Sequence, residues 1–337
     1  MLTLIIGGAA LYFSKEETKQ REDQESGLVY LNSLSQRLND IATINIQQKN
    51  EKSTVKLIEE RWVLAEKDNY PADFSKIKKL LLELNNLKTF EAKTSKPESY
   101  GRLGVQKFGE PGEVDSVLIE LFDKANNKIE SVLIGKTKPA TIRGGKSSIY
   151  VRKTNEAKSW LVSGSLELPN SQGDWLDKSI IDINADKIKS IEIRHSDKSR
   201  ISLAKETEKD TNFKVLNLPK GASLKSESAT SDISRGLQKL VFTDVLPRQS
   251  FILPKESAVQ VDFQQFDGLT IKVKLVEKED KHFILLDTHA MVDDSKVKEQ
   301  AVELGSHFAQ WAFEIAEFKA EPFKQKMKDL IEVKDKE

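Results

Sequence analysis

Apolar residues along this chain fall mostly in short alternating runs separated by polar turns; only a few stretches carry the three-and-four spacing of a helix. Ile41–Gln47, Ser53–Ile58 and Arg61–Glu66 alternate and predict three strands. A helix follows, opening at Pro71, with Phe74, Ile77, Leu81 and Leu84 on one stripe and Leu80 and Leu87 beside it. Ser116–Phe122 and Lys128–Ile134 then flank the polar turn DKANN as a hairpin. Ser148–Arg152 and Lys158–Val162 read as a further pair of edge-like strands. The plan then returns. Ile188–His195, Arg200–Ala204 and Asn212–Leu216 predict strands, and Ile233, Leu237, Leu240 and Val241 a helical stripe. Ala258–Phe263, Leu269–Val276 and His282–Asp287 predict strands again. The final stretch, 296–333, is helical by pattern, with Phe308, Trp311, Ala312 and Ile315 on one stripe and Pro322 interrupting it.

The recurrence is visible in the residues. Leu34–Ile46 and Ile181–Ile193 match at an offset of 147, pairing Leu34 with Ile181, Ile41 with Ile188, Ile44 with Ile191 and Ile46 with Ile193. Leu84–Ala92 and Leu237–Val245 match at an offset of 153, in the same order. Runs of strands with one helix per copy, and no regular βαβ alternation, predict an α+β fold. The expected layout is two tandem copies of a mainly antiparallel sheet, each with one amphipathic helix, plus an N-terminal apolar anchor helix and a C-terminal helix. The boundaries are 1–13 for the anchor, 14–27 for a charged linker, 28–180 for the first repeat and 181–337 for the second.

The anchor reading rests on MLTLIIGGAALYF, in which Leu2, Leu4, Ile5, Ile6, Leu11, Tyr12 and Phe13 carry the apolar surface. Thirteen residues of helix span about 20 Å, short of the ~30 Å hydrocarbon core. The segment therefore fits a signal-peptide core, the back half of a membrane anchor, or a buried N-terminal element. The run SKEETKQREDQESG that follows at once looks like a membrane exit. Its mixed charges leave the orientation open.

Composition narrows the chemistry. Lys plus Arg and Asp plus Glu balance at 53 each, which argues against a nucleic-acid partner held by a basic field. The absence of cysteine removes disulfides, thiolate metal sites and a cysteine nucleophile. Four scattered histidines make a histidine-rich metal site unexpected, and no cofactor is expected. Ala140–Ser147, ATIRGGKS, satisfies a loose phosphate-loop pattern, and Phe283–Asp287, FILLD, resembles a strand ending in a magnesium ligand. The residues after Lys146 are strand-like, however, so a Gly-Gly turn between strands is the stronger reading. His289 near Asp287, Asp293 and Asp294 reads as a solvated loop, and Trp62, Trp160, Trp175 and Trp311 as core anchors.

A family resemblance is carried by Trp62, then Tyr70-Pro71-Ala72-Asp73, the Leu80–Leu87 helix, and Tyr100 with Leu103-Gly104-Val105. Val132–Lys136, Ser148–Arg152 and Trp175-Leu176-Asp177 extend it. These residues resemble bacterial domain-of-unknown-function family 4340 from about Ile41 to Asp182. The resemblance implies a single-anchor envelope protein with its bulk in the periplasm. Its implied partners are the permease and auxiliary subunits of a gliding-motility-type ABC-2 exporter, with the membrane met through the N-terminal segment. It implies no catalytic residues. The function expected is a non-enzymatic accessory subunit of such an exporter; the alternative is a stand-alone envelope binding or scaffold module for glycan or lipid.

Overall fold

The computed structural model describes residues 26–110, 115–139, 147–253 and 258–332. The expected anchor and most of the charged linker lie outside them. Among the described residues no helix is long and apolar enough to cross a membrane. The chain divides into two compact units, Met1–Asp177 and Lys178–Glu337, each built mainly of antiparallel strands with helices, an α+β architecture.

In the first unit, α1 (Asn32–Arg37) leads into strands β1 (Ile41–Gln47), β2 (Lys52–Ile58), β3 (Arg61–Leu64) and the short β4 (Tyr70–Pro71). Helix α2 (Phe74–Asn85) precedes β5 (Lys88–Ala92), and the short α3 (Tyr100–Leu103) precedes β6 (Val117–Asp123), β7 (Lys128–Lys138), β8 (Ser148–Lys153) and β9 (Ser159–Ser163). They form one nine-stranded sheet in the order β4-β3-β2-β1-β6-β7-β8-β9-β5. The alternation in β1 sends Ile44 and Ile46 into the core. Helix α2 buries Ile77, Leu80, Leu81 and Leu84, but Phe74, expected on the same stripe, is exposed because it occupies the first helical position. Asp73 caps that helix: its Oδ1 accepts the backbone N–H of Ser75 at 2.9 Å and the Ser75 hydroxyl at 2.5 Å. Asp73→Ala should cost about 1 kcal/mol, read by thermal denaturation; no loss would show that the cap is not used.

In the second unit, β10 (Ser179–Ile181) is followed by β11 (Ile188–Arg194), β12 (Arg200–Ala204), β13 (Lys214–Val215) and β14 (Ser223–Leu224). Next come α4 (Ser231–Ser234), β15 (Leu240–Val241), β16 (Asp244–Pro247), β17 (Ala258–Gln265), β18 (Leu269–Lys278) and β19 (Lys281–Ala290). The unit closes with α5 (Ser295–Phe308), β20 (Trp311–Ile315), α6 (Glu317–Lys324), α7 (Met327–Leu330) and β21 (Ile331–Glu332). Its main sheet runs β13-β12-β11-β17-β18-β19-β20-β16. Strand β19 is buried at five consecutive positions, His282–Leu286. Helix α5 packs on β18 and β19. The cluster of Phe251, Val276, Phe283, Leu285 and Ala312 forms a second packed group.

Apart from β4, which has no counterpart, the two sheet orders correspond strand for strand. Each unit begins with a meander whose first strand, β1 or β11, pairs with the first strand of a later hairpin series, β6 or β17. Each places an early strand, β5 or β16, at the far edge beside the last strand of that series. Even the irregularities agree: the β1–β6 register shifts between Ile41 and Thr43, and the β11–β17 register between Ile188 and Ser190. The offset of 147 is therefore a true register match over these strands. It does not extend to Leu34, which lies in α1 while Ile181 lies in β10.

Three expectations need correction. The amphipathic helix of the second copy is only the four residues of α4, and Leu240–Val241 is strand. Its sequence SDIS, followed by Arg235-Gly236, is rich in poor helix formers, and Lys239 takes a left-handed φ of 46° further along. The C-terminal segment is not one helix. Trp311–Ile315 is β20, which fills the gap between β19 and β16, so the four-residue apolar spacing there belongs to a strand buried on both faces. Finally, β8 and β9 are interior strands, because β5 covers the edge they were expected to form.

Candidate functional site

The residues expected to carry the family pattern converge on two places in the first unit. The first is a strap. The N–H of Ala72 donates to Trp62 O at 2.8 Å, that of Asp73 to Trp175 O at 2.8 Å, and that of Asp177 to Pro71 O at 3.2 Å. Ala72 and Leu176 form an antiparallel bridge. Three segments, 61–64, 70–73 and 175–177, thus lie side by side. Tyr70 and Trp175 are fully buried beneath them, Trp160 is buried in β9, and Trp62 is half-buried. Burial, reinforced by the nearby Asp177 carboxylate, pushes the Tyr70 phenol well above its ordinary range. A tyrosine so placed is a neutral structural group at any physiological pH.

The second place is a cap around Tyr100. Its hydroxyl donates to Ala157 O at 2.6 Å and lies 3.2 Å from Ser95 O. The Arg152 guanidinium stacks 4.1 Å from the centre of the Tyr100 ring. Arg152 is buried, donating from Nε to Val105 O at 3.1 Å and from Nη1 to Glu156 O at 3.3 Å. Gly104 ends α3 with φ 70°, a left-handed turn that favours glycine. Leu103 packs beside Tyr100, Val105 and Leu133. Gly135 has no room for a side chain, since a Cβ there would sit 2.3 Å from Leu103 O.

A third cluster escaped the sequence reading. Glu130 is buried, and its Oε2 has no hydrogen-bond donor; Lys153 Nζ stands 3.9 Å away and also 3.7 Å from Glu156. Lys153 lies 5.6 Å from the centre of the buried Tyr30 ring. Burial outweighs the attraction of Lys153 and pushes the Glu130 carboxyl above the usual carboxylate range. A raised carboxyl pKa favours the fold most while the group is protonated. The stabilisation is present below the unfolded-state pKa and is lost as pH rises through the folded value. Glu130→Gln should therefore gain on the order of 1 kcal/mol at pH 7 and little at pH 4, measured by urea unfolding at both. An equal effect at the two pH values would contradict this assignment. The sequence signal was a glutamate two residues before the apolar run Val132–Ile134 and directly after Ile129, in IESVLI.

The other candidates separate. Residues 140–146 of the loose phosphate-loop pattern lie outside the described residues, and Ser148–Lys153 beyond them is a strand. The helix start that would cradle phosphate is therefore missing on that side. Asp287 is held by Arg248 through two contacts of 3.0 and 3.2 Å. Asp294 caps α5, and Asp293 pairs with Lys298. His195 Nε2 contacts Gln325 O at 2.9 Å. Among the described residues no group of three or more acidic or histidine side chains is placed to hold a metal ion. Leu2, Leu4, Ile5, Ile6, Leu11, Tyr12 and Phe13 lie outside them.

A family model, Domain of unknown function (DUF4340), matches residues 62–265, more than half the chain. The chain belongs to DUF4340. The match opens on Trp62, takes in both the strap and the Tyr100 cap, and runs on to Gln265, the last residue of β17. It thus reaches well into the second unit, past Asp182, where the residue-by-residue resemblance fades. No curated protein and no solved structure matches the chain. The residues expected to carry the family pattern lie where segments 61–64, 70–73 and 175–177 meet and around Tyr100, held by packing and hydrogen bonds.

Proposed function

We propose that this DUF4340 member is a membrane-tethered, extracytoplasmic accessory subunit of an ABC-type, gliding-motility-like ABC-2 export system, acting without chemistry of its own. In this reading the anchor is single-pass in a bacterial inner membrane, and the two units stand in the periplasm. The observation that carries it is the way the chain enters the first unit. Ser26–Tyr30 adds to the open edge of β5, with Gly27 N–H donating to Thr89 O at 2.6 Å and Tyr30 N–H to Leu87 O at 2.8 Å. The apolar run 1–13 and the charged run after it therefore join the fold at one fixed point on a sheet edge, as a tether would. In this reading the residues taken as the family signature serve to close the unit, and partners meet the rest of its surface.

Full-length protein should sediment with membranes and resist extraction by high salt, while a chain starting at Ser26 should be soluble and show the same circular dichroism per residue. Precipitation or a molten state of the shortened chain would mean that the N-terminal segment belongs to the core.

A further inference from the structure

The same edge carries an apolar surface. Leu28 is 56%, Val29 39% and Phe90 57% exposed. Phe90 sits at a bulge: Thr89 pairs with Val162 and Glu91 with Leu161, leaving Phe90 as the extra residue, outward next to buried Thr89. The segment that brings the chain in lies along it, with Thr89 N–H donating to Leu28 O at 2.9 Å and the Ser26 hydroxyl to Phe90 O at 3.4 Å. Exposed Lys88, opposite Val29, places a cation beside the apolar residues, and Glu91 is neutralised by Lys93 at 2.5 Å. The corresponding strand of the second unit, β16, pairs residue for residue with β20 and has no bulge.

We infer that Leu28, Val29, Phe90 and Lys88 form a bilayer-docking face, which seats the first unit against the lipid surface beside its own tether. This rests on the tether reading and deepens it. The argument is one of reach. Ser14–Glu25 is all the chain between Phe13 and the patch, and twelve residues of any conformation reach no further than about 40 Å. The bilayer is thus always within reach of this edge. Three apolar side chains are too few to recruit a free protein to lipid. Tethering makes the encounter intramolecular, at an effective concentration on the order of millimolar, where a weak contact suffices. Apolar side chains at the acyl boundary with lysine at the phosphates is the chemistry such a surface accepts.

The chain has no cysteine, so single probes can be placed cleanly. Full-length Leu28→Cys, Phe90→Cys and, as control, Lys56→Cys on β2, six strands away from β5, would each carry an environment-sensitive fluorophore. They would be reconstituted into vesicles of neutral and anionic phospholipid. The expected result is a blue shift and severalfold stronger quenching by bilayer-embedded quenchers at positions 28 and 90 than at 56. If the protein floats with the vesicles but all three probes stay in water, the tether stands and the docking face is refuted, leaving that edge to a protein partner. If probes 28 and 90 are already shielded without lipid, the patch is covered by the chain itself and the inference is overturned. If the full chain does not float at all, the tether reading fails and this inference with it.

Discussion

Replacing Trp175 with Ala is expected to destabilise the protein by about 3–5 kcal/mol, the range for deleting a large aromatic from a packed core. The indole is 1% exposed, so nearly all its surface returns to water or borders a cavity. The effect should exceed the loss of packing. Trp175 O receives the N–H of Asp73, and Asp73 is the cap of α2, so loosening the strap releases the first turn of the helix that covers the sheet. Urea unfolding checks it, together with hydrogen exchange at Ser75–Ile77, which should lose protection. A cost under about 1 kcal/mol, well below the usual core range, would show that the strap is an ornament of the unit and not part of its closure.

The second large effect is expected at Gly135, a position with no apparent chemistry. An added Cβ would meet Leu103 O at 2.3 Å, Gly104 O at 2.9 Å and Val105 Cγ1 at 2.8 Å. Two of these are backbone atoms of the turn that holds the Tyr100 cap, so a side chain cannot simply swing away. Gly135→Ala should cost about 3 kcal/mol, the upper part of the range for overpacking a close-packed site. The damage should be local. Limited trypsin digestion should cut at Arg102 or Lys107 far faster than in the natural protein, because the cap must lift from β7 to admit the methyl group. Unchanged cleavage would mean that β7 yields instead.

Much of this architecture was legible because strand alternation is a local signal. The meanders β1–β2 and β11–β12 and the hairpin β18–β19 follow from period-two burial and short polar turns, and the repeat follows from comparing the chain with itself. What failed was what distant pairing decides. Phe308, Trp311, Ala312 and Ile315 have a spacing that suits a helical stripe equally well. Only the slot between β19 and β16 makes Trp311–Ile315 a strand. Extending the repeat would have found it, since β20 corresponds to β9, whose sequence SWLVS already read as a strand. Helix α4 was over-read because burial of Ile233, Leu237 and Leu240 is real while the backbone between them is not helical. For the site, the signature residues were visible but their roles were not: hydrogen bonds from Asp73 to Trp175 and from Arg152 to Val105 join segments far apart in the chain. Strand β5, which holds Phe90, was not read from the sequence, because only its pairing with β9 makes Lys88–Ala92 a strand.

The central claim, a tethered subunit of an export complex, is tested most directly by recovering the natural full-length protein from its own membranes in mild detergent and identifying what comes with it. The account predicts a permease and an ATPase subunit of one ABC-type system, present in fixed proportion and lost when residues 1–25 are removed. Recovery of the protein alone, with neither subunit at any detergent strength that keeps other membrane complexes intact, would contradict it.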